Sequence, residues 1–410
     1  MQFDFKSAYN RLKNVVNRTP LQKNISLSKK YGAEVYLKRE DLQIVRSYKL
    51  RGAYNMIADL TEEQMKHGVV CASAGNHAQG FAYSCNKLGI KGVVFMPKIS
   101  PKQKIKQTKM FGENYVTVIL EGDTFDDCAI AAKKYAKEHQ MTFIPPFDNP
   151  KIIEGQATVA MEILEDLKGI DYIFVPIGGG GLAAGVSAYF KENSPETKII
   201  GVEPKGAQSM KAAFETGAPV TLDKIDSFVD GAAVKRVGDL NYEVCKDILS
   251  GVTPVDEGKI CSTILSLYSV DAIVVEPAGA MSVAVLDQYA DEIKGKTVVC
   301  ILSGGNNDID RMQEMKERSL QYEGLKHYFL IRFAQRPGAL KDFVTKVLGP
   351  NDDIIRFEYM KKNHKENGPA LVGIELNSAK DYEDILQRLK NLHFDFKVLN
   401  EDDTLFSYIV

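Results

Sequence analysis

Apolar and polar positions along the chain follow two different periods. From about residue 30 to residue 320, short runs rich in β-branched and aromatic residues are separated by stretches in which apolar residues recur every three or four positions. One of these stretches places Phe125, Cys128, Ala129, Ala132 and Ala136 on a single helical face. The strands predicted from the short runs are Glu34–Leu37, Val69–Cys71, Gly92–Met96, Tyr115–Ile119, Tyr172–Val175, Lys198–Glu203, Ala272–Val275 and Thr297–Leu302. This alternation predicts an α/β fold whose sheets are mostly parallel, with helices on both faces.

A different order of elements begins near residue 323. His327–Phe333 has the composition of a strand, and a helical pattern follows Pro337-Gly338. Two alternating strands, a second helix and a last strand come next, which gives the order β-α-β-β-α-β of a ferredoxin-like α+β domain. We therefore predict a large α/β part at 1–322, with a smaller lobe of about residues 50–150 nested within it, and a small domain at 325–399.

Charge and composition narrow the classes of function. The chain has 52 Lys and Arg against 54 Asp and Glu, so it lacks the basic excess of a general nucleic-acid or membrane-surface binder. The N-terminal sequence MQFDFKSAYN is not a secretory signal, and no apolar stretch approaches the roughly 18 residues that span a bilayer. The six cysteines are scattered and read as reduced thiols, so a cytoplasmic location is expected. Neither the cysteines nor the histidines have metal-ligand spacing, so no metal site is predicted.

Chemistry in such a fold is expected where strands end and helices begin. Four junctions have unusual residues. The first is SYKLRG at 47–52, in which Lys49 taken alone would be a solvated surface residue. The second is SAGNHAQG at 73–80, whose backbone N–H groups at a helix start can bind an anion such as a carboxylate; a plain helix cap is the alternative. The fourth is SGGN at 303–306, which alone would be a turn with a serine cap.

The third junction is a run of glycines between a predicted strand and a helix. Gly178, Gly179, Gly180 and Gly181 precede Leu182. Consecutive glycines cost backbone entropy, but they let the backbone wrap closely around a phosphate at the positive end of a helix dipole. The run therefore predicts phosphate binding.

The glycine run also admits a different class of enzyme. Gly179-x-Gly181-x-x-Ala184 fits the looser dinucleotide fingerprint, and Glu203 ends the next predicted strand, where a ribose-binding acid would lie. An NAD-dependent oxidoreductase is therefore an alternative from this segment. Against it, several strand-helix units precede the fingerprint, which normally opens its domain, and the other three junctions stay unexplained.

Together, the four junctions resemble the motifs of the fold-type II pyridoxal-phosphate enzymes, and within them the threonine and serine dehydratases. The resemblance covers about residues 5–320 and keeps the family's order of motifs. SYKLRG resembles the lysine motif, which implies that Lys49 is catalytic and holds pyridoxal 5'-phosphate as a Schiff base. SAGNHAQG resembles the loop that binds the substrate carboxylate, with Asn76 also bonding the cofactor's phenolic oxygen. The glycine run resembles the phosphate loop, and SGGN resembles the turn that places Ser303 at the ring nitrogen.

The resemblance implies two sets of binding residues. Those for the cofactor are Lys49, Asn76, Gly178, Gly179, Gly180, Gly181, Leu182 and Ser303, and those for the substrate are Ser73, Ala74, Gly75, Asn76 and His77.

The resemblance also implies a reaction. L-Threonine would lose its α-proton to Lys49 and then its β-hydroxyl, which gives 2-oxobutanoate and ammonia, with serine as a secondary substrate. Some relatives bind a cation through an acid after the phosphate helix and another acid six residues later. Glu203 matches the first position, but Ser209 occupies the second, so no metal is expected. Glu276 either lines the active site or caps a helix.

The last part of the chain resembles a regulatory domain. FAQRPGAL at 333–340 and DIIRFEY at 353–359 are similar to the ACT-like domain of biosynthetic threonine dehydratases, of which the chain has room for one. This implies the first step of isoleucine biosynthesis, isoleucine and also valine as effectors, and a homotetramer. A non-catalytic amino-acid sensor on the same fold is an alternative, but it would not need Lys49.

Overall fold

The predicted alternation of strands and helices forms in the first of two units. The computed structural model describes residues 2–361 and 366–400. The chain divides into the units Met1–Asp308 and Ile309–Val410. The domain limits predicted from the sequence, including the nested lobe, stay predictions.

The first unit contains two sheets. Its strands are β1 (Leu21–Lys23), β2 (Glu34–Arg39), β3 (Val69–Ala72), β4 (Gly92–Met96), β5 (Val116–Leu120), β6 (Thr142–Phe143), β7 (Tyr172–Pro176), β8 (Lys198–Pro204), β9 (Gly251–Val255) and β10 (Thr297–Leu302). A six-stranded sheet has the order β1-β2-β10-β7-β8-β9 and is parallel except for the pair β1 and β2. A four-stranded parallel sheet has the order β5-β4-β3-β6. The predicted fold class is confirmed.

Helices surround both sheets. They are α1 (Phe5–Leu12), α2 (Ile25–Tyr31), α3 (Lys49–Ala58), α4 (Glu62–Met65), α5 (Asn76–Leu88), α6 (Lys102–Gly112), α7 (Phe125–Glu138), α8 (Pro150–Asp166), α9 (Gly181–Asn193), α10 (Ser209–Thr216), α11 (Asp239–Cys245), α12 (Glu257–Asp271) and α13 (Pro277–Ala284). Strand β7 is buried along its whole length, and its side chains pack with α8 and α9 in one apolar core. Within residues 2–361 and 366–400, no helix is long and apolar enough to cross a membrane.

The cysteines are buried thiols of the first unit. They are Cys71, Cys85, Cys128, Cys245, Cys261 and Cys300. Three belong to β3, α5 and α7, which build the four-stranded sheet and its helices, and three belong to α11, α12 and β10. Burial therefore keeps these sulfurs away from solvent in the folded chain.

One predicted strand is wrong, and three strands were not predicted. Ala272–Val275 forms no strand, because Ala272 adopts a positive φ of 54° and ends α12, so the segment is a short link into α13. The unpredicted β1 and β6 have three and two residues, too few for a visible period. Strand β9 contains Pro254, a residue that argues against a strand.

The second unit has the predicted ferredoxin-like order after one leading helix. Its elements are α14 (Met312–Tyr322), β11 (Lys326–Ala334), α15 (Ala339–Lys346), β12 (Asp353–Tyr359), β13 (Asn367–Glu375), α16 (Asp381–Asn391) and β14 (Asp395–Val398). The sheet is antiparallel with the order β12-β13-β11-β14. Alternate residues of β11, Phe329, Ile331 and Phe333, pack with Phe343 of α15 and Leu389 of α16. Both helices therefore cover one face of this sheet.

Candidate active site

Lys49 is the first residue of α3 and lies beside the end of β10. The backbone N–H of Tyr48 donates to the carbonyl oxygen of Ser303 at 3.2 Å, which ties the start of α3 to the SGGN turn. The Nζ of Lys49 donates to the carbonyl oxygen of Pro146 at 2.9 Å. Burial lowers the pKa of Lys49 from 10.5 to about 8, although the nearby Glu276 opposes the shift. Part of the amine is therefore uncharged near neutral pH, as a nucleophile or base requires.

A buried ion network fixes the first turn of α3. The guanidinium of Arg51 donates to both carboxylate oxygens of Glu40, at 2.8 and 2.9 Å, and to both of Glu162, at 2.7 and 2.9 Å. Lys38 adds a further bond to Glu162. Burial would raise the pKa of Glu40, but Arg51 and then Lys38 hold it below its ordinary value. The network joins α3 to α8 and to the end of β2, so the backbone of Lys49 has little freedom.

Asn76 opens α5 and is held from two sides. Its Nδ2 donates to Oε1 of Glu276 at 2.6 Å, and its Oδ1 accepts from Nδ2 of Asn306 at 2.6 Å. These two bonds define which way the Asn76 amide points. The second hydrogen of Nδ2 is then available to an acceptor in the site. The structure therefore brings the second and fourth junctions together.

The rest of the SAGNHAQG loop is arranged for an anion. The hydroxyl of Ser73 accepts from the backbone N–H of Gly75 at 3.2 Å, and a Cβ placed on Gly75 would meet nothing within 4 Å. The loop therefore faces open space at the N-terminus of α5, where a helix dipole favours negative charge. His77 instead has a structural contact, because its Nε2 lies 3.1 Å from the carbonyl oxygen of Ile144. Burial, with Lys49 adding to it, lowers the pKa of His77 to about 3.

The glycine run is the loop between β7 and α9. Gly180 has a φ of 90°, in the left-handed region that favours glycine. A Cβ on Gly179 would come within 2.2 Å of the ring of Phe147, so a side chain cannot fit there. The carbonyl oxygen of Gly179 accepts from Nδ2 of Asn241 at 2.7 Å and from the N–H of Gly238 at 3.1 Å. The loop therefore has no side chains, and hydrogen bonds from Asn241 and Gly238 fix the position of its backbone.

Glu276 lies between the other groups of the site. It is buried at the start of α13, and its N–H donates to the carbonyl oxygen of Gly304 at 3.1 Å. Burial raises its pKa from 4.5 to about 7, and the charge of Asp230 adds to the shift, while the bond from Asn76 opposes it. Glu276 is the N-cap residue of α13, but its side chain makes no capping hydrogen bond and accepts from Asn76 instead. That Glu276 lines the active site stays a prediction. Ser303, next to Gly304, is also buried.

The contacts described above bring all four junctions together at the Lys49 amine and the adjacent Phe147 ring. Three residues that contact or support the predicted ones lie outside the four motifs: Phe147, Asp148 and Asn241. Asn306 is the last residue of SGGN, but no role was predicted for it. Phe147 and Asp148 follow the two-residue strand β6 in the segment PPFDNP, so their junction was hidden by the shortness of that strand.

These residues fit an aldehyde cofactor that bears a phosphate. An amine with a lowered pKa is the group that condenses with an aldehyde, and a glycine loop at the N-terminus of α9 suits a phosphate. Ser47 Oγ and Asn306 Oδ1 are buried polar atoms without a hydrogen-bond partner in the part of the chain that the structure describes. The donors and the shape of the loop therefore agree with such a group.

Glu203 has a different task from both alternatives raised by the sequence. Its carboxylate accepts from the N–H groups of Met210 and Lys211, at 2.6 and 2.9 Å, and so caps α10. Burial raises its pKa to about 7. A capping carboxylate is engaged by the backbone, which counts against a ribose-binding role. In the described ranges 2–361 and 366–400, no group of His, Cys, Asp and Glu side chains is arranged to hold a metal ion.

Comparison with known proteins identifies relatives over both units. A family model described as "Pyridoxal-phosphate dependent enzyme" matches residues 12–304, and one described as "C-terminal regulatory domain of Threonine dehydratase" matches residues 317–409. The chain is 58% identical over 408 residues to the L-threonine dehydratase biosynthetic IlvA of Halalkalibacterium halodurans, with 99% of this chain and 98% of that protein covered. It is 54% identical to the protein of the same name from Bacillus subtilis, with 98% and 96% covered.

A solved structure shares the fold over about three quarters of the chain. The processed form of threonine deaminase isoform 2 from Solanum lycopersicum is 38% identical, with a TM-score of 0.72. The match covers 77% of this chain and 94% of that one.

Proposed function

The chain belongs to the pyridoxal-phosphate-dependent biosynthetic threonine dehydratases, and on that premise we propose that its residues at the four junctions convert L-threonine to 2-oxobutanoate and ammonia. This carbon-nitrogen lyase reaction is the first step of isoleucine biosynthesis. The observation that carries the assignment to these residues is the buried Lys49 amine, whose pKa is lowered to about 8, close to the glycine loop and to Asn76. Its surroundings favour the uncharged amine that the chemistry needs.

The cofactor would be held by residues from all four junctions. Lys49 would hold its aldehyde carbon, the N–H groups of Gly178 to Leu182 its phosphate, Asn76 its phenolic oxygen and Ser303 its ring nitrogen. When bound, pyridoxal phosphate supplies the electron sink that makes the α-proton of an amino acid removable. A serine at the ring nitrogen, unlike an acid, does not hold that nitrogen firmly protonated, which suits prompt β-elimination.

Lys49 also moves the proton. Once the amino group of threonine has replaced Lys49, the freed amine would take the α-proton. The bond from Cβ to the hydroxyl oxygen then breaks, and the hydroxide would leave as water with a proton from the cofactor phosphate. The enamine released from the site takes up water and yields 2-oxobutanoate and ammonia. Residues Ser73 to His77 orient the substrate, because N–H groups at the start of α5 donate to its carboxylate at the positive end of the helix.

Two variants of Lys49 test this assignment. Lys49→Ala should lose the visible absorbance of bound cofactor and the formation of 2-oxo acid from threonine. Lys49→Arg keeps the positive charge but should lose both signals, because a guanidinium stays protonated. Lys198→Ala, which removes an exposed lysine at the start of β8, serves as the control. Full activity in Lys49→Arg would contradict the role of the amine. Serine in place of threonine should give slower product formation.

We infer that isoleucine, and in competition with it valine, binds the second unit. A cavity of about 560 Å³ lies between the start of α15 and strand β12. Phe333, Leu340, Val344 and Phe357 line it with apolar surface, and Arg336 adds positive charge. The apolar lining suits the branched side chain of such an amino acid, and Arg336 suits its carboxylate.

The effector site is tested by binding. Leu340→Asp should abolish the shift in threonine saturation that isoleucine causes and should remove isoleucine binding by calorimetry. Arg332→Ala, an exposed residue on β11 paired with Asp395, is the control. Unchanged inhibition in Leu340→Asp would contradict the pocket assignment.

We also infer a homotetramer in the cytoplasm. Coupling between an added regulatory unit and a distant site is common in symmetric oligomers. Ile25, Tyr268, Val270 and Val274 are large exposed apolar residues on the first unit, available for burial between subunits. The buried thiols suit a reducing compartment. Sedimentation equilibrium gives the subunit number, and a monomer at working concentration would contradict the inference.

A further inference from the structure

Three consecutive residues connect the two ends of the proposed cofactor site. The carbonyl oxygen of Pro146 accepts from the Lys49 amine at 2.9 Å. The ring of Phe147 lies against Gly179 so closely that a Cβ there would approach ring atoms to between 2.2 and 2.4 Å. The third residue, Asp148, directs its carboxylate to backbone N–H groups of α11. The helix α11 in turn contacts the glycine loop through Asn241.

Asp148 caps a helix to which it does not belong. Its Oδ2 accepts from the N–H of Asp239 at 3.1 Å, and its Oδ1 accepts from those of Leu240 and Asn241, at 3.1 and 3.2 Å. N–H groups in the first turn of a helix have no partner within the helix, and the helix dipole favours an anion there. The carboxylate therefore fixes the position of the first turn of α11 relative to the segment 146–148.

That first turn in turn holds the glycine loop. Asn241 is buried, and its Nδ2 donates to the carbonyl oxygen of Gly179 at 2.7 Å. The N–H of Gly238, the residue before α11, donates to the same oxygen at 3.1 Å. The other amide atom of the side chain, Oδ1 of Asn241, has no hydrogen-bond partner among the residues that the structure describes. The orientation of this amide thus depends on its bond to Gly179 and on the backbone that Asp148 fixes.

We propose that Asp148 is a positioning residue that holds the loop 178–181 in its phosphate-binding shape through the start of α11 and Asn241. The inference rests on the proposed function, because the phosphate is that of pyridoxal phosphate. Asparagine at position 148 would keep the shape of the side chain but would lose the negative charge and turn one acceptor atom into a donor that faces N–H groups.

The test compares two cofactors that differ only in the phosphate. Parent protein, Asp148→Asn, Asn241→Ala and Asp256→Asn are dialysed against graded concentrations of pyridoxal phosphate or pyridoxal, and the visible absorbance of the bound form gives each Kd. Asp256 is the matched control because it also caps a helix start, accepting from the N–H of Gly258 at 3.0 Å, but the helix that it caps is α12 and not α11. Urea unfolding of each variant measures its stability.

Asp148→Asn should raise the Kd for pyridoxal phosphate about tenfold, which corresponds to about 1.4 kcal/mol, and change the Kd for pyridoxal by no more than about twofold. Asn241→Ala should do the same, whereas Asp256→Asn should alter neither Kd. If Asp148→Asn does not fold, Asn241→Ala alone decides. Equal weakening of both ligands, or of neither, overturns the proposal. A parent protein that acquires no visible absorbance with pyridoxal phosphate overturns the proposed function instead.

Discussion

At the scale of single residues, Glu276 combines burial with contact to the site. Burial raises its pKa from 4.5 to about 7. Between these two pH values the folded protein binds more protons than the unfolded chain, so this group makes unfolding less favourable at low pH. Its contribution is fully present below about pH 4.5 and is lost as the pH rises through about 7.

Glu276→Gln should therefore change the pH dependence of stability. Glutamine does not ionise, so the free energy of unfolding of the variant should gain on that of the parent as the pH rises from about 4 to about 8, by up to about 3 kcal/mol. Urea unfolding followed by circular dichroism at several pH values measures the difference. Parallel curves for the two proteins would mean that Glu276 titrates normally.

Gly179→Ala tests how little space the phosphate loop offers. The new Cβ would have to displace the Phe147 ring, which also lies near Lys49. We expect purified protein with little bound cofactor and a rate of 2-oxo acid formation about 100-fold lower, because a small misplacement of reacting groups is costly. Gly251→Ala, at the start of β9 where a Cβ meets nothing within 4 Å, is the control. A coloured and active Gly179→Ala would refute this account.

Sequence motifs identified residues with distinctive chemistry and missed those that support them. Lys49, Asn76 and Ser303 stand in motifs, and the structure gathers them, although their roles stay predictions. Asn241 stands in no motif, and an isolated asparagine is common on surfaces. Asn306 closes the SGGN motif, but the motif does not show what its side chain contacts. Their position in the site depends on contacts between residues far apart in the chain, which a local pattern does not contain.

At the scale of elements, the start of α3 depends on charge that is fully buried. Arg51 and Glu40 are completely inaccessible to solvent, and each is paired. Arg51→Met would leave Glu40 buried without its arginine and Glu162 paired with Lys38 alone, so we expect a loss of about 3 to 5 kcal/mol in the free energy of unfolding. Arg18→Met removes an arginine that also pairs with two carboxylates, but at the surface, and should cost less than about 1 kcal/mol. Urea unfolding of both variants checks the contrast, and similar losses would contradict it.

Most elements were predictable because their period is local. Gly92–Met96 and Thr297–Leu302 form as predicted, residue for residue. The segment 272–275 has the residues of a buried strand but lacks a partner strand, since Ala272 ends one helix and Glu276 starts the next. Strand β6 shows the reverse: its two residues are too few to form a recognisable strand pattern, yet they pair with β3. Pairing between distant strands decides such cases.

At the scale of the whole molecule, the two proposed sites lie in different units. The proposed cofactor site lies in Met1–Asp308, and the cavity proposed for the effector lies in Ile309–Val410. A chain that ends at Asp308 should therefore keep visible cofactor absorbance and threonine turnover but lose any response to isoleucine. Steady-state rates with and without isoleucine, for the full and the shortened chain, measure this. An equal effect of isoleucine on both chains would place the effector site in the first unit.

The order of strands in the sheets was beyond local patterns. The chain alone predicts parallel sheets and their connecting helices, but β10 lies between β2 and β7, strands that precede it by more than a hundred residues. This order is set by how helices pack between strands. It also brings the end of β10, with Ser303, next to Lys49.

Because every cysteine lies in the first unit, the reaction of the cysteines with a thiol reagent measures unfolding of that unit. All six lie buried in Met1–Asp308, and the sequence has none after residue 300. A thiol reagent in dilute denaturant should therefore modify this protein only as fast as the first unit opens, while unfolding confined to the regulatory unit passes unmarked. Mass spectrometry of the labelled peptides would separate opening around Cys71, Cys85 and Cys128 from opening around the other three. Added cofactor should slow the labelling wherever its binding holds the chain closed.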